Sequence, residues 1–156
     1  MYLTLTSLEG LIWNEDVKQL TIDTMSGQIT ILPGHDNLIS VLKPGLIKIV
    51  PTESTTTRRF DFLIDKEYIV FGVLGGVLTI EDNQIQILTN MVITDQIQPL
   101  DVLTQAKQSL IEKQRTIIQG TGIGSGMGDD TMIDLQAQID HIDLEMKLGR
   151  YKQMKK

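Results

Sequence analysis

His35 and Asp36 stand side by side in Pro33-Gly34-His35-Asp36, the pairing that general-base chemistry uses when a carboxylate orients an imidazole. Adjacent residues of a strand or turn point apart, however, and no serine sits in a nucleophile context, so the pair reads as structural or interfacial. His141 follows Asp140 where nothing supplies a third metal ligand. The acid pairs Glu15-Asp16 and Glu81-Asp82 fall at turns and read as solvated corners. The run from Gly120 to Gly128, glycine at every second position, offers backbone N–H groups to an anion. It lacks both the Gly-x-Gly-x-x-Gly and the Gly-Lys-Ser/Thr spacing, follows a helix instead of a strand, and leads into Asp129-Asp130. It reads as an interhelical linker. With no cysteine for thiol or thiolate chemistry, no catalytic residue, metal or cofactor is expected.

The elements around these residues are of two kinds. Up to about residue 95, apolar residues alternate with polar ones: Leu3 and Leu5 with Thr4 and Thr6, Ile29 and Ile31 with Gln28 and Thr30, Ile85 and Ile87 with Gln84 and Gln86. Phe60, Phe62 and Ile64 alternate with Asp61, Leu63 and Asp65. Period two places one set on a core face, and Tyr68–Val73 is apolar on both faces, as a central strand would be. Turns are expected at Ser26-Gly27, Pro33-Gly34, Pro44-Gly45, Gly75-Gly76 and Asp82-Asn83, and a hairpin tip at 54–59. Short strands at this spacing predict an antiparallel sandwich or barrel.

From Pro99 the period lengthens. Leu100, Leu103, Ala106, Leu110, Gln114, Ile117 and Ile118 recur at three and four, so a first helix starts at Pro99 and ends at the glycine run. The second helix carries a seam of Met132, Leu135, Ile139, Ile142 and Met146. A further stripe, Ile133, Ala137, Leu144, Leu148 and Tyr151, implies another surface to pack on, either a separate partner or the sandwich.

The chain of 156 residues is acidic, with a net charge of −6, which argues against general nucleic-acid binding. Residues 1–98 hold 6 basic and 12 acidic side chains and so carry the whole of that charge. The last ten residues hold Lys147, Arg150, Lys152, Lys155 and Lys156 with no acid, more than a helix terminus requires. An acidic partner surface is one reading of that tail and anionic lipid another. No apolar run reaches the roughly 20 residues of a membrane span, and no basic-then-apolar leader opens the chain, so a cytoplasmic protein is expected.

The segment Ile31-Leu-Pro-Gly-His-Asp-Asn-Leu-Ile-Ser-Val-Leu-Lys-Pro-Gly45 closely resembles the signature of the epsilon subunit of F-type ATP synthases, of the bacterial type. Phe71–Asn83 resembles the family's glycine-pair hairpin, Gln84–Leu88 its next strand, and Leu100-Asp101 the start of its first helix. The resemblance implies an α+β chain. An N-terminal antiparallel β-sandwich of about ten strands, residues 1–95, would be followed by a C-terminal antiparallel helical hairpin, residues 96–156, with its linker at 119–128.

It also implies a non-catalytic place in the central stalk, gripping the gamma subunit and sitting on the c-ring, peripheral at the cytoplasmic face of the inner membrane. There it would couple proton translocation to ATP synthesis. Gly27 and Gln28 match the ring contact and His35 the gamma side. The helices would reach the alpha/beta head, where Lys147, Arg150, Lys152, Lys155 and Lys156 would meet an acidic beta segment and restrain ATP hydrolysis. Four positions depart from the pattern: Thr30 stands for a glycine, Leu74 for a serine, and Thr104-Gln105 for the Arg-Ala of the family's ATP motif. An ATP-sensing module, the alternative, would rest on Leu100, Asp101 and Thr104, a motif stripped of its phosphate-binding arginine.

Overall fold

The computed structural model describes residues 1–52, 62–120 and 129–154. The expected hairpin tip at 54–59, Phe60, the body of the glycine linker, and Lys155 and Lys156 lie outside these. Eight strands precede two helices: β1 (Tyr2–Ser7), β2 (Gly10–Thr24), β3 (Gly27–Ile31), β4 (Leu38–Pro51), β5 (Leu63–Asp65), β6 (Tyr68–Glu81), β7 (Gln84–Leu88), β8 (Val92–Ile93), α1 (Leu100–Gly120) and α2 (Asp129–Met154).

Alternation puts Leu3, Leu5, Ile85 and Ile87 inside, fully buried with Trp13, Leu20, Ile22, Ile47, Phe71 and Leu78. Hydrogen bonding runs β1-β7-β6-β4-β2-β3, and β1 also pairs β2, so the strands close around this core into a barrel-like sandwich. One pairing is not antiparallel. β1 runs parallel to β7, with Leu3 opposite Ile85 and Leu5 opposite Ile87.

The strand count differs from the expected ten because Pro44-Gly45 and Gly75-Gly76 do not turn the chain back. They lie inside the long strands β4 and β6, where Leu42 pairs Gly76 and Pro44 pairs Leu74, so the pairing skips Lys43 and Gly75 and then resumes. Gly75 and Gly76 have φ of +79° and +136°, so the glycines bend a continuous strand. Thr89 secures the bend by donating its hydroxyl to the Gly75 carbonyl at 2.7 Å. Each long strand thus serves as two shorter ones.

The helices form a hairpin laid on the sandwich. α1 turns Leu100, Leu103, Lys107, Leu110, Gln114 and Ile117 inward, a three-and-four spacing, and Leu103 is buried. Ala106 and Ile118, expected on that face, are exposed. α2 uses Leu135, Ile139 and Met146 as buried seam residues and lays its second stripe on the sandwich. Leu144 and Leu148 join Leu46, Val70 and Ile93 in a separate small core, bordered by Tyr68, Leu74, Ile97 and Tyr151. The second surface is therefore the sandwich, as far as Leu144; Ile133 and Ala137 stay exposed.

Candidate functional site

Three surfaces hold the described residues of the expected interfaces. Around His35, the Pro33-Gly34 turn is clipped to the β6–β7 turn: Gly34 N–H donates to Asn83 Oδ1 at 2.7 Å, and Asp82 N–H to Asn37 Oδ1 at 3.2 Å. The half-buried imidazole of His35 donates from Nδ1 to the backbone carbonyl of Asp36 at 2.8 Å. Asp36 thus meets the ring through its backbone, which is not a base-and-orienter arrangement.

Four residues beyond His35 begins a feature that the sequence reading passed over. Ile39 and Val41 on β4, Val77 on β6 and Leu88 on β7 are exposed by 43% to 76%. Val41 pairs Val77 and Val77 pairs Leu88, so three of them stand in one row across three strands, with Ile39 two residues away along β4 on the same face. Met25, also exposed, donates its N–H to the Val41 carbonyl and extends the row. An apolar strip of this kind on the outer face of a closed sheet is a candidate docking surface. The signal was present in residues 38–42, which are apolar on both faces apart from Ser40.

The second surface is the β2–β3 turn with Gly27 and Gln28. Gly27 adopts φ +128°, and Thr24 Oγ1 donates to its carbonyl at 2.8 Å while accepting from Ser26 N–H at 3.2 Å. Gln28 is exposed, but its amide is engaged, donating to Asp23 Oδ1 at 3.0 Å.

The third is the clasp between α2 and the sandwich. Lys147 donates to Asp23 Oδ2 at 2.8 Å, Lys152 pairs with Asp95 at 2.7 Å, and Tyr151 donates its hydroxyl to Asp65 Oδ2 at 2.6 Å. Lys48 lies 4.9 Å above the Tyr151 ring. Burial would raise the Asp23 carboxyl, but hydrogen bonds from Lys147 and Gln28 and the charges of Lys147 and Lys43 prevail and hold it below its ordinary value. Burial, together with the bond to Asp65 and its charge, pushes Tyr151 up to about 12. Of the cationic tail, Lys147 and Lys152 are bound to the chain's own acids, while Arg150 is exposed.

Linkage sets the pH range of the clasp. A tyrosine whose folded value lies above its ordinary 10.0 contributes fully below pH 10 and loses that contribution as pH rises toward 12. The protection of α2 against hydrogen exchange, taken relative to the base-catalysed intrinsic rate, should therefore fall over that interval, and a Tyr151→Phe variant should lack this step. An identical profile for the two would show that the phenol plays no part in the clasp.

At the start of α1, Thr104 returns its hydroxyl to the Leu100 carbonyl at 2.6 Å, and Asp101 lies exposed in the first turn. Neither presents a donor array for phosphate. Among the described residues no three metal-binding side chains cluster, and no helix is long and apolar enough to cross a membrane.

The closed β-structure thus bears an apolar strip on its outer face and a helical pair seated by two ion pairs, a tyrosine hydrogen bond and a small apolar core. A family model for the β-sandwich domain of the ATP synthase delta/epsilon chain matches residues 1–95. The chloroplastic ATP synthase epsilon chain of Psilotum nudum is 34% identical over 80 residues, 51% of this chain and 50% of that one. That of Staurastrum punctulatum is 29% identical over 113 residues, 72% of this chain and 70% of its own length. The chain spans about half the length of several curated relatives that it matches. By fold, it is similar at TM-score 0.64 and 19% identity to a chain of the Euglena gracilis mitochondrial ATP synthase, covering 96% of this chain and 79% of that one. A chain of the Tetrahymena thermophila mitochondrial ATP synthase central stalk and c-ring gives TM-score 0.55 at 16% identity, with 95% of each covered.

The chain belongs to the ATP synthase delta/epsilon family. It is of the epsilon type, as the curated relatives it matches are named.

Proposed function

We propose that the chain is a central-stalk subunit whose sandwich holds the gamma subunit through the Ile39–Val41–Val77–Leu88 strip and meets the c-ring through the Gly27-Gln28 turn. The observation that carries this reading is the strip itself, which costs solubility unless a partner covers it, and which begins beside His35. Linking gamma to the ring in this way couples ion translocation to ATP synthesis at the membrane. The structure describes the seated hairpin. While seated, Lys147 and Lys152 neutralise Asp23 and Asp95. Released, they would join Arg150, Lys155 and Lys156 as a cationic face for an acidic segment of the catalytic head, within a Debye length of ~8 Å at physiological salt. That exchange of partners is the basis for restraint of hydrolysis. Thr104, with its hydroxyl turned back to the helix, disfavours the ATP-sensing alternative.

Truncation after Gln98 tests the division of labour. The shortened chain should still assemble with gamma and should raise ATP hydrolysis by the assembled enzyme. Failure to bind gamma would assign docking to the helices, and an unchanged hydrolysis rate would remove the restraint.

A further inference from the structure

The carboxylate of Asp23 joins two surfaces that the proposed function assigns to different partners. It is buried near the end of β2, its Oδ1 held by Gln28 of the β2–β3 turn and its Oδ2 by Lys147, 124 residues further along the chain. Opposite it, on β4, stands Gly45. A Cβ there would lie 2.6 Å from Oδ2 and 2.7 Å from the Asp23 Cβ, so the carboxylate occupies the space of a missing side chain. Gln28 and Lys147 take one oxygen each, so together they fix the rotation of the carboxylate and aim Oδ2 at α2. The two donors also line the same open cleft, of about 540 Å³, with Lys48, Arg150 and Tyr151. Gln28 is the exposed end of this chain of contacts; Lys147 is the end that seats the hairpin.

We propose that Gln28 couples docking at the β2–β3 turn to the seating of the hairpin, so that a partner loop which takes the Gln28 amide loosens the Asp23–Lys147 clasp. The inference rests on the reading of Gly27-Gln28 as the ring-facing turn. The backbone carbonyls and polar side chains of a ring loop are acceptors of the kind that Gln28 Nε2 already binds. When such a group replaces Asp23, the buried carboxylate loses the donor on Oδ1 and with it the constraint that aims Oδ2. Lys147, half exposed, then exchanges its bond for water. Because coupling of this kind is reciprocal, a seated hairpin weakens docking at the turn by the same factor. The β2–β3 turn keeps its shape throughout, because Thr24 and not Gln28 holds it.

The coupling is read first in the full chain alone, by amide hydrogen exchange over residues 143–151. Gln28→Ala should speed exchange about 5-fold or more, as should Lys147→Met, and the double variant should be no faster than Lys147→Met. Unchanged exchange in Gln28→Ala, or additive effects in the double variant, would overturn the coupling whatever the turn contacts. The second reading uses the assembled enzyme. The chain has no cysteine, so Ser26→Cys supplies a single thiol on the turn for cross-linking to the ring. Cross-linking should be several-fold faster when Lys147→Met is added. An equal rate would overturn the reciprocal coupling, whereas absence of any cross-link to the ring in both forms would overturn the docking reading itself.

Discussion

Gly76→Ala is expected to destabilise the sandwich by about 2–6 kcal/mol, the largest loss of any substitution considered. Gly76 sits at φ +136°, where a side chain is strained, and a Cβ there would collide with the carbonyl of Leu88 on the neighbouring strand. The obstacle is backbone, so it cannot rotate away. Backbone strain and overpacking of this kind together cost about 2–6 kcal/mol, against a total stability of about 5–15 kcal/mol. The bend at Gly75-Gly76 also carries the pairing of β6 with β4 on one side and β7 on the other, so the damage reaches both neighbours. Urea denaturation followed by the fluorescence of Trp13, the single tryptophan and fully buried, measures it. A midpoint equal to that of the unaltered chain would mean that the bend is not the constraint proposed for it.

Leu148→Ala should have the second-largest effect and a different signature. Leu148 is fully buried in the small core between α2 and the sandwich, separate from the main core. Truncating a buried leucine costs about 2–5 kcal/mol, and among the described residues the cluster's other buried members are just Leu46, Val70, Ile93 and Leu144. The hairpin should therefore leave the sandwich while the Trp13 core melts unchanged. Tyr151 reports the release. Its phenol, at about 12 when bonded to Asp65, should titrate near its ordinary 10.0 once the helix is free. Gly72 belongs to the same interface, since a Cβ there would lie 2.9 Å from Leu144 Cγ, and that close approach is what lets α2 lie flat on β6. Loss of Trp13 fluorescence in step with hairpin release would contradict a separable unit.

These two sites differ in how visible they are before folding. Period-two alternation located Leu3, Leu5, Ile85 and Ile87 correctly, and the turns at Ser26-Gly27, Pro33-Gly34 and Asp82-Asn83 follow from local chemistry alone. Gly75-Gly76 was legible as an irregularity but not as a bend, because two glycines in sequence fit a tight turn equally well. What separates the alternatives is the pairing of β4 with β6 across the irregularity, a long-range register that local pattern does not contain. The parallel contact of β1 with β7 is hidden for the same reason.

The helical stripes show a similar division. The second stripe on α2 announced a further packing surface, and Leu144, Leu148 and Tyr151 supply it on the sandwich. On α1, Lys107 takes an inward position because Asp143 on α2 pairs with it, so a charged residue fills a place where the pattern suggested Ala106. The cationic tail was visible as a charge run, but its present partners Asp23 and Asp95 were not. Ion pairs across the sandwich–hairpin boundary depend on how the two parts dock, and sequence spacing says nothing of that. The apolar strip was missed because Ile39 and Val41, Val77, and Leu88 lie on three strands that become neighbours only in the folded sheet.

Binding of the full chain to the isolated gamma subunit tests the central reading most directly, with Val77→Lys as the comparison. Val77 lies in the middle of the strip between Val41 and Leu88, and its side chain points away from the core, so lysine there leaves the fold intact, as the Trp13 melting curve would show. If the strip is the stalk-facing surface, the unaltered chain binds gamma and the variant binds about 10-fold or more weakly, since a charge is buried there without a partner. Equal binding by the two chains would contradict it.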